Sequence, residues 1–133
     1  VVKKIRKFRA VEVRCSEAGD FEITQVDFDS KHDCRERGDL DFDWDFDQVT
    51  LSVNFEFGRS PKGEWYDGER HNGGRIVKLK LTRNSVTIIT AEDIDFYIGF
   101  ELNKEQYAEL VEYLNIVFSK SKTLEIREDE VTT

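Results

Sequence analysis

The chain has 133 residues, enough for one ordinary domain, and an aromatic content of 12% indicates a packed core rather than disorder. The net charge of −8 argues against nucleic acid and anionic membranes as partners and favours a basic protein. No apolar run approaches the ~18 residues that a membrane-spanning helix needs. The two cysteines make no disulfide framework and the N-terminus shows no signal-peptide pattern, so we expect a cytoplasmic protein with reduced thiols.

The charge is distributed unevenly along the first third of the chain. Residues 1–14 hold six basic residues against one acidic residue, whereas residues 27–47 hold nine acidic residues against three basic ones. We expect residues 1–8 to form a frayed basic arm and residues 127–133 a frayed acidic tail. The whole chain, residues 1–133, reads as a single domain that includes these two ends.

Alternation of apolar and polar residues predicts strands in the first half. Val11, Val13 and Cys15 share one face of a first strand. A second strand carries Phe21 and Ile23 and then, after a phase slip, Val26 and Phe28. The run from Val49 to Phe57 alternates in the same way and predicts another strand.

The segment DLDFDWDFD at residues 39–47 alternates most strictly. Its apolar face is Leu40, Phe42, Trp44 and Phe46, and its opposite face is Asp39, Asp41, Asp43, Asp45 and Asp47, which we call the Asp ladder. The apolar residues then change from even to odd numbers at Asp47–Gln48. A slip of one residue requires a bulge or a bend, or it places the two runs in different sheets.

In the second half, Gly58–Arg75 reads as the longest irregular segment and three strand runs follow it. They are centred on Val77–Leu81, Val86–Ile89 and Ile94–Leu102, and a shorter one falls at Leu124 and Ile126. Apolar residues at helical spacing predict a helix over Lys104–Phe118, with Asn103 and Gln106 at the spacing of a capping box. The fold class is therefore α+β: a predominantly antiparallel sheet covered by one C-terminal amphipathic helix.

Enzymatic and metal chemistry find weak support in the sequence, and we expect no enzyme activity and no cofactor. Aspartates spaced by two on one strand face stay ionised in solvent, unlike the paired acids of a hydrolase. Whichever aspartate of the Asp ladder is taken as the first position, the glycine and the glutamate of a calcium loop are not both present. The sequence therefore leaves open an irregular calcium site but not a regular calcium loop. His32, Asp33 and Cys34 are adjacent but show no signature of a nucleophile or zinc site.

Two features predict partner-binding residues. The Asp ladder either prevents edge-to-edge aggregation or provides a field that steers a cationic partner, and the sequence leaves both readings open. Trp65 and Tyr66 lie in the long irregular segment, where they either pack beneath the loop or serve as exposed interface anchors.

The order of motifs from Val49 to Phe118 resembles the immunity proteins of bacterial polymorphic-toxin systems, in particular the family numbered ten. The motifs are EWYDGERHNGG, RIVKLKLTRNSVTI, IDFYIGFEL and NKEQYAELVEYLNIVF, and they cover about the last half of the chain. The resemblance implies a small cytoplasmic protein with a sheet and a C-terminal helix, no catalytic residues, and a cognate toxin as partner. We therefore expect a non-catalytic inhibitor of a basic toxin, with a small-molecule or calcium-binding β protein as the alternative and a hydrolase as a weaker one.

Overall fold

A computed structural model describes residues 3–19, 22–31, 47–55, 61–66, 71–118 and 123–127 of the chain. Within these residues, nine strands belong to one sheet and a single helix follows the eighth strand. The elements are β1 (Lys4–Arg9), β2 (Glu12–Ala18), β3 (Ile23–Asp29), β4 (Gln48–Asn54), β5 (Lys62–Tyr66), β6 (His71–Leu81), β7 (Ser85–Thr90), β8 (Ile94–Gly99), α1 (Lys104–Val117) and β9 (Leu124–Ile126).

The strand order is β1-β8-β7-β6-β5-β4-β3-β2, and β9 pairs with β6. Pairing is antiparallel throughout except for two parallel pairs, β1 with β8 and β6 with β9. The sheet is therefore dominated by antiparallel pairing and is followed by a C-terminal helix that packs against it, as the sequence predicts.

Two corners fold this sheet into two layers. The first corner is at Ala10 and Val11, which join β1 and β2 although these strands stand at opposite ends of the order. Ala10 N donates to Gly99 O and Val11 N donates to Asp29 O, each at 2.8 Å, so the chain passes from one layer to the other within two residues. The second corner is the register shift between Ile76 and Lys78 in β6.

We call the two layers the β8 layer and the β4 layer. The β8 layer contains β1, β7, β8, β9 and the second half of β6, and the β4 layer contains β2, β3, β4, β5 and the first half of β6. Aromatic rings join their inner faces: the ring centroids of Trp65 and Phe96 are 5.4 Å apart, and those of Phe28 and Phe100 are 6.2 Å apart. The two inner faces thus form one apolar core.

Helix α1 lies against β2, β3 and β4. Its buried residues are Leu110, Leu114 and Val117, and Phe118 after its last turn is also buried, while Val111 is half-buried. The capping box is present, because Asn103 accepts from Gln106 N and the Gln106 side chain accepts from Asn103 N. The described part of the chain has no helix long and apolar enough to cross a membrane.

Three expectations about local structure are wrong. Residues 4–8 of the basic arm are not frayed, because Lys4–Arg9 pairs with β8 as strand β1. The segment Gly58–Arg75 is not one irregular loop, because it contains β5 and the start of β6. Strand β3 has no phase slip, because Thr24 takes the inward position before Val26 and is only 3% exposed.

Candidate functional site

The outer face of the β4 layer is polar and carries the most concentrated set of buried charged groups in the described residues. Strand alternation places on this face the partners that face each other across β2, β3, β4 and β5. They are Glu12, Arg14, Ser16, Gln25, Asp27, Asp29, Gln48, Thr50, Ser52, Lys62, Glu64 and Tyr66. The inner positions of the same strands carry the apolar core, so the polar face results directly from the period of two.

Asp27 lies at the centre of this face and is only 6% exposed. Thr50 Oγ1 donates to Asp27 Oδ1 at 2.5 Å, and Gln25 Nε2 donates to Asp27 Oδ2 at 3.2 Å. Both carboxylate oxygens therefore have a donor from the same face. A buried carboxylate is tolerated only when its oxygens are satisfied in this way.

Asp29, two residues further along β3, is 3% exposed and pairs with Arg14. Arg14 Nη2 is 3.0 Å from Asp29 Oδ2, and Arg14 Nε is 3.4 Å from Glu12 Oε1, so the guanidinium bridges two carboxylates. Burial raises the pKa of Asp29 to about 6 although Arg14 opposes the rise, and the charges of Asp27 and Glu12 add to it. Asp29 thus changes charge close to neutral pH.

An open cleft of about 740 Å³ lies beside Asp27. Its walls come from β2, β3, β4, β5 and the helix, and they are Val13, Arg14, Cys15, Ser16, Gln25, Asp27, Gln48, Thr50, Glu64 and Glu109. Three of these residues carry a carboxylate and one carries a guanidinium, so the cleft is acidic. A cationic group is the natural occupant of such a cleft.

Three cations of the N-terminal segment are engaged with carboxylates outside the cleft. Lys3 pairs with Asp95 at 3.0 Å, Arg6 with Asp47 at 2.7 Å and Arg9 with Glu101 at 3.1 Å. This part of the basic N-terminal segment is therefore paired within the molecule. Its charges neutralise carboxylates of β8, of the segment that follows β8 and of the residue that precedes β4.

The Asp ladder falls largely outside the described residues, because Asp39, Asp41, Asp43 and Asp45 lie there. Asp47 is described: its carboxylate accepts from Arg6 Nε, and its side chain is 15% exposed. Its backbone N–H also donates to Ser30 Oγ at 2.7 Å. The carboxylate of Asp47 is thus engaged inside the protein rather than presented outward.

Trp65 and Tyr66 lie in strand β5, not in a loop, and are 3% and 6% exposed. Trp65 faces inward and packs on Phe96, whereas the Tyr66 ring lies 4.7 Å from that of His71. The interpretation of this pair as exposed interface anchors is corrected, because the alternation of β5 directs the indole into the core. The indole of Trp65 contributes to packing between the layers, whereas Tyr66 is not part of that core.

Cys15, on the inner face of β2, is half-buried. Burial raises its pKa to about 12, and the charges of Glu109, Asp27 and Glu112 act in the same direction. A thiol with this pKa stays protonated near neutral pH and is therefore a poor nucleophile. Within the described ranges, no group of three or more His, Cys, Asp or Glu side chains is placed to hold a metal ion.

Sequence reasoning missed Asp27, Asp29 and Arg14 as members of one site. The signal was present in part, because Asp27 and Asp29 alternate with Val26 and Phe28. What the sequence lacked was the register that places Arg14 opposite Asp27 and Thr50 on its other side. Comparison with known proteins adds nothing to this geometry, since no family model, curated protein or solved structure matches the chain.

Proposed function

We propose that this protein is a non-catalytic inhibitor that binds and neutralises a basic protein, as an immunity protein neutralises its cognate toxin in the bacterial cytoplasm. The observation that carries the proposal is the acidic cleft on the outer face of the β4 layer, which has three carboxylates and one guanidinium among its walls. A second support is the net charge of −8.

Electrostatics explain why such a surface suits an inhibitor. A field of one sign accelerates the encounter with an oppositely charged protein, and a toxin must be captured before it acts. The internal pairing of Lys3, Arg6 and Arg9 supports this role, because cations held by the protein's own carboxylates do not repel a cationic partner.

The arrangement of the polar face favours binding over catalysis. Asp27 and Asp29 accept hydrogen bonds from Thr50, Gln25 and Arg14 of their own face, so both oxygens of Asp27 and Oδ2 of Asp29 already hold donors in the free protein. Groups whose hydrogen bonds are already made in the free protein keep their positions when a partner docks, and this suits a docking surface.

The test is a survival assay. The chain is expressed together with the toxin domain encoded directly upstream of its gene, and growth is compared with that of cells carrying the toxin domain alone. We expect the chain to restore growth and to form a complex with the purified toxin domain. Continued killing, together with no measurable complex, would refute the proposal.

Two sets of variants identify the acidic surface that carries the interaction. The first replaces Glu64 and Glu109 in the cleft by Gln, and the second replaces Asp41, Asp43 and Asp45 of the Asp ladder by Asn. Stopped-flow association is measured at several salt concentrations, with Glu92→Gln as the control for loss of a carboxylate elsewhere. The set that slows association and flattens its salt dependence marks the docking surface.

A small cationic molecule is the second candidate ligand, because the cleft volume of about 740 Å³ is that of a small-molecule site. Calorimetric titration with spermidine, a small polycation, separates the two functions. Saturable binding that Glu64→Gln weakens would favour a small-molecule site. If the titration releases no more heat than dilution of spermidine alone, the result favours the protein partner as the ligand of the cleft.

A further inference from the structure

Strand β1 is attached to the protein with little apolar burial. Five of its six residues are exposed, and Phe8 alone is half-buried. Ile5 is 66% exposed on the outer face. Segments with few buried apolar contacts open at a smaller free-energy cost than the rest of a domain.

Backbone pairing with β8, together with ion pairs to the body of the protein, fixes the position of this strand. Lys3 Nζ is 3.0 Å from Asp95 Oδ1, Arg6 Nε is 2.7 Å from Asp47 Oδ1, and Arg9 Nη2 is 3.1 Å from Glu101 Oε2. Lys3 Nζ also donates to Thr90 O at 2.6 Å. The cation of each pair is exposed to solvent, and solvent-exposed ion pairs contribute little to stability and weaken as salt is added.

The neighbouring strand β8 is held very differently. Its inward residues Ile94, Phe96 and Ile98 are at most 8% exposed, and β7 pairs with it on its other side. If β1 leaves, β8 therefore stays in place and presents an open backbone edge. Such an edge is a template for an added strand.

We propose that this edge of β8 is a docking site for a basic β-strand of a protein partner, and that β1 occupies the site in the free protein. The carboxylates of Asp47, Asp95 and Glu101 select cations in the incoming strand, as they hold those of Lys3, Arg6 and Arg9. The inference rests on the proposed function only for the nature of the partner, a basic protein.

Hydrogen exchange of the full chain tests whether β1 opens by itself. We expect the amides of Lys4–Arg9 to exchange about tenfold faster than those of β3 and β4, and faster again when salt rises from about 0.05 to about 0.5 M. The double variant Asp95→Asn, Glu101→Gln should accelerate this exchange in the same way. The control pair Glu105→Gln, Glu112→Gln removes two helix carboxylates and should leave β1 unchanged.

A synthetic peptide of residues 3–10, KKIRKFRA, is the probe for the docking site. We expect a labelled peptide to bind the full chain with salt-dependent affinity and to release β1, seen as faster exchange of the chain's own residues 4–9. A peptide of the same sequence, methylated on those alternate backbone nitrogens that face β8, keeps the charges but cannot pair with β8 as a strand. This control should not bind.

Three results would overturn the inference. They are β1 amides as protected as those of β3, equal binding of the two peptides, and absence of binding by either. A dimer in which β1 of one copy replaces that of another would assign the site to a second copy and not to a partner. None of these depends on toxin neutralisation, so failure of the survival assay with a positive peptide result would refute the proposed function alone.

Discussion

Thr50 and Asp27 face each other across strands β4 and β3, and Thr50 Oγ1 donates a hydrogen bond of 2.5 Å to Asp27 Oδ1. Asp27 is 6% exposed, so this hydroxyl replaces much of the hydration that the carboxylate loses on folding. The alternation of β4 places Thr50 on the polar face, and the register between β3 and β4 places it opposite Asp27.

Replacing Thr50 by Val should lower the free energy of unfolding by about 1–3 kcal/mol, because a buried carboxylate oxygen loses a donor. Thr50→Ser keeps the hydroxyl and should retain most of the stability. Urea unfolding at neutral pH measures both variants. Equal stability of Thr50→Val and the parent would show that the bond adds nothing.

Gly63 on the inner face of β5 is a second point at which packing fixes the residue type. A Cβ at this position would lie 2.5 Å from Ile76 Cδ1 and 3.3 Å from the Trp65 ring. Gly63→Ala should therefore cost about 1–3 kcal/mol of stability through overpacking of the core.

Gly99→Ala is the matched control, because a Cβ there meets no atom within 4 Å. Thermal or urea unfolding of both variants checks the comparison. We expect Gly99→Ala to be neutral or slightly stabilising, since alanine restricts the unfolded chain more than glycine does. A Gly63→Ala protein as stable as the Gly99→Ala protein would contradict the packing argument.

The elements that could be predicted from the sequence are those whose signal is local. The helix was predicted from its periodicity and from Asn103 and Gln106, and the structure confirms its start and its capping box. Strands β7 and β8 were predicted because Val86, Ile88 and Phe96 alternate with outward residues, and all three are buried.

The elements that were missed depend on contacts between distant residues. Strand β1 has no buried apolar alternation, and its cations find Asp95, Glu101 and Asp47 only in the folded chain. The candidate site depends on distant contacts for the same reason, because the register that joins Arg14 to Asp29 is set by the pairing of two strands.

The capping box of α1 gives a direct test of local stabilisation. Asn103 Oδ1 accepts from Gln106 N at 2.8 Å, and Gln106 Oε1 accepts from Asn103 N at 2.9 Å. Asn103→Ala should cost about 1 kcal/mol, whereas Asn103→Asp should keep the cap. Urea unfolding followed by far-UV circular dichroism distinguishes the two, and a neutral Asn103→Ala would show that the helix is held by packing alone.

The thiol of Cys15 should be slow to react with alkylating reagents. Burial raises its pKa to about 12, so at pH 8 only about one molecule in ten thousand carries the thiolate. Iodoacetamide labelling of the native protein, followed by mass spectrometry of the peptide that contains Cys15, should show little modification. The same peptide should be labelled fully in urea, and rapid native labelling would contradict this environment.

Asp29 gives the stability of the protein a pH dependence whose sign can be derived. Its pKa is raised from 3.8 to about 6, mainly by burial, so the folded protein holds this proton more tightly than the unfolded chain. The contribution of Asp29 to stability therefore falls as pH rises from about 4 to about 6, and the full loss of this contribution is on the order of 3 kcal/mol. Other carboxylates titrate in the same range, so a variant must isolate this contribution.

Asp29→Asn removes the titration while keeping the size of the side chain, and it leaves Arg14 paired with Glu12. The free energy of unfolding of the variant minus that of the parent should therefore increase as pH rises from about 4.5 to about 7. The parent must ionise a buried carboxyl group over this range, and the variant does not. Urea unfolding at both pH values measures the difference, with Glu105→Gln on the exposed side of the helix as the control. Parallel pH profiles of the parent and Asp29→Asn would show that Asp29 ionises in the folded state as readily as in the unfolded chain.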